Sequence, residues 1–431
     1  MTTNGSHAPL SISATWNRPL VAATGGEATL LIRISAPARS DDQSAHRAPI
    51  DVAFVLDRSG SMAGEKLSLV KEAVSVALGH LHDEDRAALV VYDHEVETLQ
   101  TLASATPRVK TTMRLALQGV DRGGSTNLSG GWLTGCEELT RGMGDGDDRV
   151  RIRRALLLTD GLANVGITDT AELTRHAHEL RRRGIATTTL GVGLDFDEDL
   201  LAGMAEAGGG NFQFIAHPGE LRAFFTRELG ELLTVIATDF TVSLTLPAGV
   251  RARLISAFPS EQRRNQIDVS LRDLSASETL CLVFSVTSEA GEPGTARLAT
   301  LRASWADPSA DTRRAQDLTL PPLVLADAES VAATPEDPEV AEEAAIQRAA
   351  AERRKAMRLD RQGRSREAKM YLQRSAAYLA AAPQSARVAE EFSMSAALAD
   401  MDADEGYGED VRKQVTFAAM RRLRGKDAGT R

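Results

Sequence analysis

Three oxygen-bearing side chains alternate with other residues in the stretch Asp57-Arg58-Ser59-Gly60-Ser61. They directly follow the apolar run 52–56, which is short and rich in β-branched and aromatic residues, as a buried strand is. A strand that ends in this way and leads into a helical pattern places the three side chains at the carboxyl edge of a sheet, where open α/β sheets keep their ligand sites. Oxygen ligands alone suit a hard cation, Mg²⁺ or its substitutes Mn²⁺ and Ca²⁺, far better than zinc.

Two later stretches supply further oxygen ligands. The glycine-rich segment 123–128 carries Thr126, and the apolar run 156–158 leads to Asp160. A cation held by neutral hydroxyls keeps most of its positive charge, so it attracts a further anionic ligand. The vacant position then suits a carboxylate from outside the chain. Taken alone, Asp57 and Ser59 are also explained as ordinary turn and N-cap residues.

Together these three pieces resemble the von Willebrand factor type A family. Its metal-ion-dependent adhesion site has the form Asp-x-Ser-x-Ser, followed by a threonine and then an aspartate, and the resemblance covers roughly residues 50–235. It implies that Ser59, Ser61 and Thr126 contact the metal, whereas Asp57 and Asp160 mostly hold its bound waters. It also implies a partner protein that presents an Asp or Glu to the metal.

The elements that must position these residues alternate between strand and helix patterns across 49–236. Helical patterns such as 65–82 and 170–183 separate apolar runs such as 87–92 and 185–190. This alternation is what a parallel sheet with crossover helices requires. We therefore predict an α/β, Rossmann-like domain with helices on both faces of a central sheet.

Strand-like alternation lies on both sides of this domain, in residues 1–48 and 237–326. Short strands at this spacing are typical of an antiparallel sandwich, so we predict one β-sandwich built from both flanks, with the α/β domain inserted between them. The layout is similar to bacterial relatives of the inter-α-trypsin inhibitor heavy chain and of the calcium-activated chloride channel regulators. The alternative is that the first 48 residues form a separate arm.

The remainder of the chain has a different composition. The acidic, alanine-rich stretch 327–338 is predicted to be a linker. Residues 339–431 are predicted to be a helical region with helices at 338–360, 364–381 and 385–401, the first two packed together through alanine-rich faces. Its basic end, including Arg412, Lys413 and 421–426, is either a solvated tail or a short helix that docks elsewhere.

Charge and composition restrict the partners and the compartment. The net charge of −10 over 431 residues argues against nucleic acid as the main partner, because no basic face stands out against the acidic total. No run approaches the ~20 apolar residues that a membrane span needs. Residues 1–7 lack the pattern of a signal peptide. Cys136 and Cys281 give no disulfide framework, which favours a reducing compartment. We expect a cytoplasmic protein.

Two other polar segments are weaker candidates for a metal site. Residues 195–199 begin like a calcium loop, but Leu200 stands where that loop requires glycine, so we predict that Asp197 caps the following helix. Residues 93–95 are interpreted as a polar turn after a strand, from which His94 could reach the rim of the metal site.

The leading hypothesis is a non-enzymatic, divalent-cation-dependent protein-binding module, in which a partner carboxylate completes the metal coordination. A second hypothesis makes the chain a cytoplasmic adaptor that couples a AAA+ ATPase of the MoxR kind to a client, since other bacterial proteins with a domain of this kind resemble such partners. A third, metal-dependent hydrolysis, requires Asp57 or Asp160 to act as a base toward a metal-bound water.

Overall fold

The computed structural model of the chain describes residues 10–38, 47–144, 150–216, 218–401 and 406–425. Their strands are β1 (Ser11–Trp16), β2 (Leu20–Ala22), β3 (Gly26–Ser35), β4 (Ile50–Asp57), β5 (Arg86–Tyr92), β6 (Val96–Ser104), β7 (Ile152–Thr159), β8 (Ile185–Val192), β9 (Gly209–Ile215), β10 (Val235–Thr245), β11 (Val250–Leu254), β12 (Ser260–Arg263), β13 (Gln266–Ser270), β14 (Leu274–Ser275), β15 (Thr279–Ser288), β16 (Ala296–Arg297), β17 (Thr300–Asp307), β18 (Thr312–Thr319) and β19 (Leu323–Ala326). Their α-helices are α1 (Glu65–His80), α2 (Pro107–Gln118), α3 (Leu128–Arg141), α4 (Thr170–Arg182), α5 (Glu198–Ala207), α6 (Leu221–Leu233), α7 (Ala328–Ala333), α8 (Pro338–Arg361), α9 (Ser365–Ala380), α10 (Ala386–Asp400) and α11 (Glu409–Leu423).

A six-stranded sheet of order β6-β5-β4-β7-β8-β9 forms the centre of the α/β unit. Strands β4, β5, β7, β8 and β9 run parallel, and β6 pairs antiparallel with β5 at the edge. The strands at the centre are buried along nearly their whole length, which is why their sequences are continuous apolar runs. Strand β6 was not predicted.

Helices cover both faces of this sheet. Apolar residues of α1, α2 and α6 pack on one face and those of α3, α4 and α5 on the other, so that the sheet has a core on each side. The carboxyl ends of β4 and β7 therefore meet at one edge between the two helical layers. This arrangement confirms the predicted α/β, Rossmann-like fold class.

Strands from both flanks of the α/β unit form three further sheets around one apolar core. One sheet has the order β1-β3-β15-β11, and a second has the order β12-β13-β10-β17-β18, with β14 pairing to β10. The third is a small sheet of order β16-β19-β2. Strand β3 pairs with β15 along its full length, from Gly26 opposite Ser288 to Ser35 opposite Thr279. The chain enters the α/β unit after β3 and leaves it into β10.

The C-terminal helices contact both of these units. Val340 and Ala344 of α8 pack against Leu31 and Val283 on the outer face of the sandwich. Helix α11 lies against the α/β unit, where the ring of Phe417 meets that of Phe212 edge-on, with the ring centroids 6.1 Å apart. The basic segment that includes Arg412 and Lys413 thus belongs to a docked helix, although Lys426 lies outside the described residues.

Further observations concern the predicted linker, the cysteines and possible membrane spans. Part of the stretch expected to be a linker forms the six-residue helix α7, which Asp327 caps by accepting the N–H of Ser330. Cys136 and Cys281 are free thiols, and both are buried. In the part of the chain that the structure describes, no helix combines the length and the apolar character needed to cross a bilayer. Residues 1–7, considered above for a signal peptide, are outside that part.

Candidate functional site

Asp57 is the last residue of β4 and lies fully buried at the carboxyl edge of the central sheet. One carboxylate oxygen, Oδ1, accepts the backbone N–H of Ser59 at 2.8 Å, and the other accepts the hydroxyl hydrogen of Thr159 at 2.6 Å. Burial raises the pKa of Asp57 to about 6, although the hydrogen bonds from Ser59 and Thr159 act in the opposite direction. A positive charge at this edge would stabilise the ionised form.

The two serines of the motif lie side by side beyond Asp57. The Oγ atoms of Ser59 and Ser61 are 3.2 Å apart, and Ser61 Oγ donates to Oδ1 of Asp160 at 2.7 Å. Asp160 follows β7 and is fully buried, as is Ser59, whereas Ser61 is exposed. The structure therefore brings residues from two neighbouring strands into one hydrogen-bonded group that opens to solvent at Ser61.

Thr126 reaches the same group from the loop before α3. A Cβ atom added to Gly161 would lie 3.4 Å from Oγ1 of Thr126 and 3.4 Å from Oγ of Ser61, so both hydroxyls border one point. The backbone of Thr126 is held by Asn164, whose Oδ1 accepts its N–H at 2.8 Å. The carbonyl of Thr126 accepts the N–H groups of Asn164 and Val165, both at 3.2 Å. All five sequence-predicted residues thus meet at this edge.

Lys66 is a member of this group that the sequence reasoning missed. Its Nζ lies 2.5 Å from Oδ2 of Asp160 and 3.8 Å from a carboxylate oxygen of Asp195. Gly193 leaves room for the lysine, because a Cβ there would come within 3.2 Å of Nζ. The sequence did contain an indication of this contact. A lysine in the first turn of a helix lies at the positive end of the helix dipole, so it is favourable only beside an acid.

Asp93 holds the loop that carries Thr126, although its segment was interpreted only as a polar turn. It is buried and accepts the N–H groups of Glu95 at 2.8 Å and Gly124 at 3.1 Å. Burial alone would raise the pKa of Asp93, but these hydrogen bonds and the charge of Arg58 lower it overall. A side chain at position 123 would collide with Asp93, which explains the glycine there.

His94 follows Asp93 and is largely exposed. Its Nδ1 lies 3.4 Å from Oδ2 of Asp93, and it faces the glycine-rich loop at Gly124. The structure therefore places His94 beside the loop that carries Thr126, and its contact is with a carboxylate that positions this loop.

The donor set fits a hard divalent cation. Asp57 and Asp160 place two carboxylates at the edge, Lys66 supplies one ammonium, and three hydroxyl groups complete the set. Two buried carboxylates with one neighbouring ammonium leave negative charge without compensation, which an oxygen-coordinated cation would supply. Among the described residues, no group of three or more His, Cys, Asp or Glu side chains forms an alternative metal site.

The acidic segment after β8 has a structural role. Asp197 caps α5 by accepting the N–H groups of Asp199 and Leu200, which confirms the predicted cap. Arg361 of α8 lies 2.8 Å from Asp197 and 2.6 Å from Glu198. These acids therefore connect the α/β unit to the C-terminal helices.

The fold and the site have counterparts in known proteins. Residues 51–227 match the von Willebrand factor type A domain. YfbK of Escherichia coli is 27% identical over 275 residues, which cover 62% of this chain and 47% of that protein. Inter-alpha-trypsin inhibitor heavy chain H1 of Mesocricetus auratus is 29% identical over 198 residues, covering 44% of this chain and 21% of the relative. This chain thus spans about half or less of the length of these two curated relatives.

A solved structure matches nearly the whole chain. The von Willebrand factor type A protein of Catenulispora acidiphila superimposes with a TM-score of 0.77 at 17% identity, covering 97% of this chain and 98% of that one. At this identity the likeness establishes the fold. The chain therefore contains a von Willebrand factor type A domain, which confirms the resemblance seen in the sequence. Such domains are generally metal-dependent protein-interaction modules.

Proposed function

We propose that the edge formed by Asp57, Ser59, Ser61, Thr126 and Asp160 binds a divalent cation, Mg²⁺ first among the candidates, and through it a carboxylate of a partner protein. The proposal depends on the contacts among these side chains. Ser59 Oγ lies 3.2 Å from Ser61 Oγ, and Ser61 Oγ lies 2.7 Å from a carboxylate oxygen of Asp160. The hydroxyl of Thr126 borders the same position beside Gly161 as the hydroxyl of Ser61 does. Ser59, Ser61 and Thr126 would hold the ion directly. Asp57 and Asp160 would act through water.

The charge at the site supports an acidic partner. Bound Mg²⁺ would supply a positive charge that the three hydroxyl groups leave unneutralised, together with a coordination position for one further oxygen. The two buried carboxylates and Lys66 carry one net negative charge between them, so the loaded site would be positive. A partner's Asp or Glu suits such a site.

The surroundings of the site favour a partner segment that also carries apolar side chains. Leu162 follows the strand end that carries Asp160, and Leu194 precedes Asp195, which lies beside Lys66. Both leucines are exposed, so a partner segment that docks on the metal would have apolar side chains to cover beside it. We therefore propose an acidic residue flanked by apolar residues as the recognised element.

The hydrogen bonding of the carboxylates favours binding over catalysis. Both oxygens of Asp57 accept hydrogen bonds, from Ser59 and Thr159. Both oxygens of Asp160 are likewise engaged, by Ser61 and Lys66. A general base needs an oxygen directed at the proton that it takes, so these contacts support a non-enzymatic role. An adaptor role toward a AAA+ ATPase of the MoxR kind stays a prediction from the sequence.

The proposal is tested by titrating Mg²⁺ into the full chain in a calorimeter. The wild type should bind one Mg²⁺, and Asp57→Ala combined with Ser59→Ala should abolish the signal. Ser68→Ala is the matched control, because Ser68 is an exposed serine of the adjacent helix and should leave the affinity unchanged. Absence of Mg²⁺ binding by the wild type, or an unchanged affinity in the double variant, would falsify the metal site.

A peptide array tests the carboxylate. Peptides with one Asp or Glu among apolar residues should be retained in Mg²⁺ and released by EDTA, and their Asn or Gln counterparts should not be retained. Equal retention of the acid and amide peptides would contradict recognition of a carboxylate while leaving metal binding intact.

A further inference from the structure

Four arginines from separate elements converge where the α/β unit, the sandwich and α11 meet. Arg154 lies on β7, Arg181 on α4, Arg272 between β13 and β14, and Arg424 directly after α11. Asp273 accepts from Arg154 and from Arg181, each at 2.9 Å, so one carboxylate serves two guanidinium groups.

Arg272 adds a third guanidinium group and is paired with Glu278. Glu231 also acts on Arg272 from farther away, so the charge of Arg272 is compensated by several carboxylates. The charges of Arg154, Arg181 and Arg272 are therefore each matched by a carboxylate at the junction.

Arg424 is the one of these four arginines to which the described residues give no ion pair. Only 4% of its surface is exposed, and its Nη1 donates to the carbonyl of Gly210. Its Nε has no hydrogen-bond partner, and none of the described carboxylates lies within 4 Å of its guanidinium group. Glu206 acts on it from farther away, and that acid is already 2.9 Å from Arg354.

The surroundings of Arg424 make its charge unfavourable. Burial, together with repulsion from Arg272, Arg154 and Arg181, lowers the pKa of Arg424 to about 9. The guanidinium group is therefore still protonated at neutral pH. A buried cation of this kind is strongly destabilising unless a counter-charge lies against it.

A crevice of about 50 Å³ lies beside these groups. Its lining includes Arg181, Arg182, Arg272 and Arg424, and also the acids Glu206 and Asp239, which are paired with Arg354 and Arg313. Among the described residues, the buried Nε atoms of Arg272 and Arg424 have no hydrogen-bond partner. A volume of this size holds a few waters or one small ion. Guanidinium groups present several N–H donors in a plane and bind the oxygens of oxyanions well.

We propose that this crevice binds a small oxyanion, of the class of inorganic phosphate or sulfate, between Arg272 and Arg424. The anion supplies the counter-charge that the described residues do not give Arg424, and it fastens the end of α11 at the junction. Two contacts already place this end: the carbonyl of Leu423 accepts the N–H of Ala257 in the sandwich at 3.0 Å, and Arg424 contacts Gly210 of β9. The inference is independent of the proposed metal site.

Thermal unfolding of the full chain in inorganic phosphate, compared with sodium chloride at equal ionic strength, tests the proposal. Phosphate at about a hundred times its dissociation constant should raise the melting temperature of the wild type by about 3 °C more than chloride does. Arg424→Met should lose this difference. Arg251→Met is the matched control, because Arg251 is an exposed arginine of the sandwich, and it should keep the wild-type response.

Other outcomes are equally decisive. Equal melting temperatures of the wild type in phosphate and in chloride would overturn the proposal, as would a phosphate response that survives in Arg424→Met. If Arg424→Met does not fold, calorimetric titration of phosphate into Arg182→Gln replaces it, because Arg182 is an exposed residue of the same crevice. Phosphate affinity should then fall several-fold, and an unchanged affinity would contradict the site.

Discussion

The ammonium group of Lys66 lies 2.5 Å from Oδ2 of Asp160, and the other carboxylate oxygen of Asp160 accepts the hydroxyl hydrogen of Ser61. A fixed positive charge therefore neighbours the position proposed for the divalent cation. Lys66 both compensates a buried acid in the metal-free protein and repels an incoming cation. We infer that Lys66 keeps the affinity for Mg²⁺ moderate.

Replacing Lys66 with methionine should strengthen Mg²⁺ binding about tenfold, because a repulsive charge is removed and Asp160 loses its ammonium partner. Calorimetric titration measures the affinity, and thermal unfolding in EDTA should show a less stable metal-free protein. Lys66→Arg keeps the charge and should bind Mg²⁺ within about threefold of the wild type. Weaker binding by Lys66→Met than by the wild type would show that the lysine assists the metal.

Asp93 should influence the metal only through the loop that carries Thr126. Asp93→Ala leaves the N–H of Gly124 without its acceptor, so we expect Mg²⁺ affinity to fall about tenfold. In a Thr126→Ala background the same change should have little further effect, because the hydroxyl that the loop positions is already absent. Additive losses in the double variant would mean that Asp93 acts on the site by another route.

Asp85, at the opposite end of the sheet, should stabilise the fold at neutral pH and lose this effect in acid. Its carboxylate is buried, contacts Arg47 at 2.8 and 2.6 Å, and accepts the N–H of Ile50. Burial alone would raise the pKa of Asp85, but the hydrogen bonds from Arg47 and the backbone lower it below the ordinary value of 3.8. A depressed folded-state pKa stabilises the protein above the unfolded-state value, and this stabilisation is lost as the pH falls through the folded-state pKa.

Urea unfolding between pH 7 and pH 2.5 tests this contribution. Asp85→Asn should lower the free energy of unfolding by about 3 kcal/mol at pH 7, because Arg47 loses its carboxylate partner. The difference from the wild type should shrink below about pH 4, where Asp85 of the unfolded chain takes up a proton while the folded carboxylate is still ionised. A difference that is constant over the whole range would show that the charge of Asp85 contributes nothing.

Glu391 and Arg353 form a buried ion pair that joins α10 to α8. Glu391 also lies 2.7 Å from Arg422 of α11, so one carboxylate compensates two arginines. Glu391→Gln should destabilise the protein by about 3 kcal/mol, because Arg353 is left buried and charged. Chemical denaturation measures this loss, and the exposed neighbour Glu390→Gln should change stability by less than about 0.5 kcal/mol. Comparable losses in the two variants would contradict the argument.

The central sheet, apart from β6, could be predicted from the sequence because its other strands are buried on both faces. Continuous apolar runs end at Asp57 and near Asp160, and both positions follow directly from those runs. Strand β6 escaped prediction because its residues are half-exposed at the sheet edge, so that polar and apolar residues mix along it. Half-exposed edge strands of this kind leave little signal in a single sequence.

The residues that support the site were harder to predict than those of the motif. Lys66 and Asp160 are far apart in sequence, and Asp93 is separated from Gly124 by β6 and α2. Their roles depend on long-range contacts that residue type and spacing do not specify. The same holds for Arg424, whose burial follows from the docking of α11.

The docking of α11 also limits how far the chain can be shortened without breaking contacts of the α/β unit. Glu198, on the α/β unit, is neutralised by Arg361 and Lys413, which both belong to the C-terminal helices, and Lys413 also covers the ring of Phe196. A fragment cut at 49 and 236 would expose that ring and lose both cations. Contacts that cover the α/β unit therefore come from outside residues 51–227, the segment that matches the von Willebrand factor type A domain, and α11 supplies part of them.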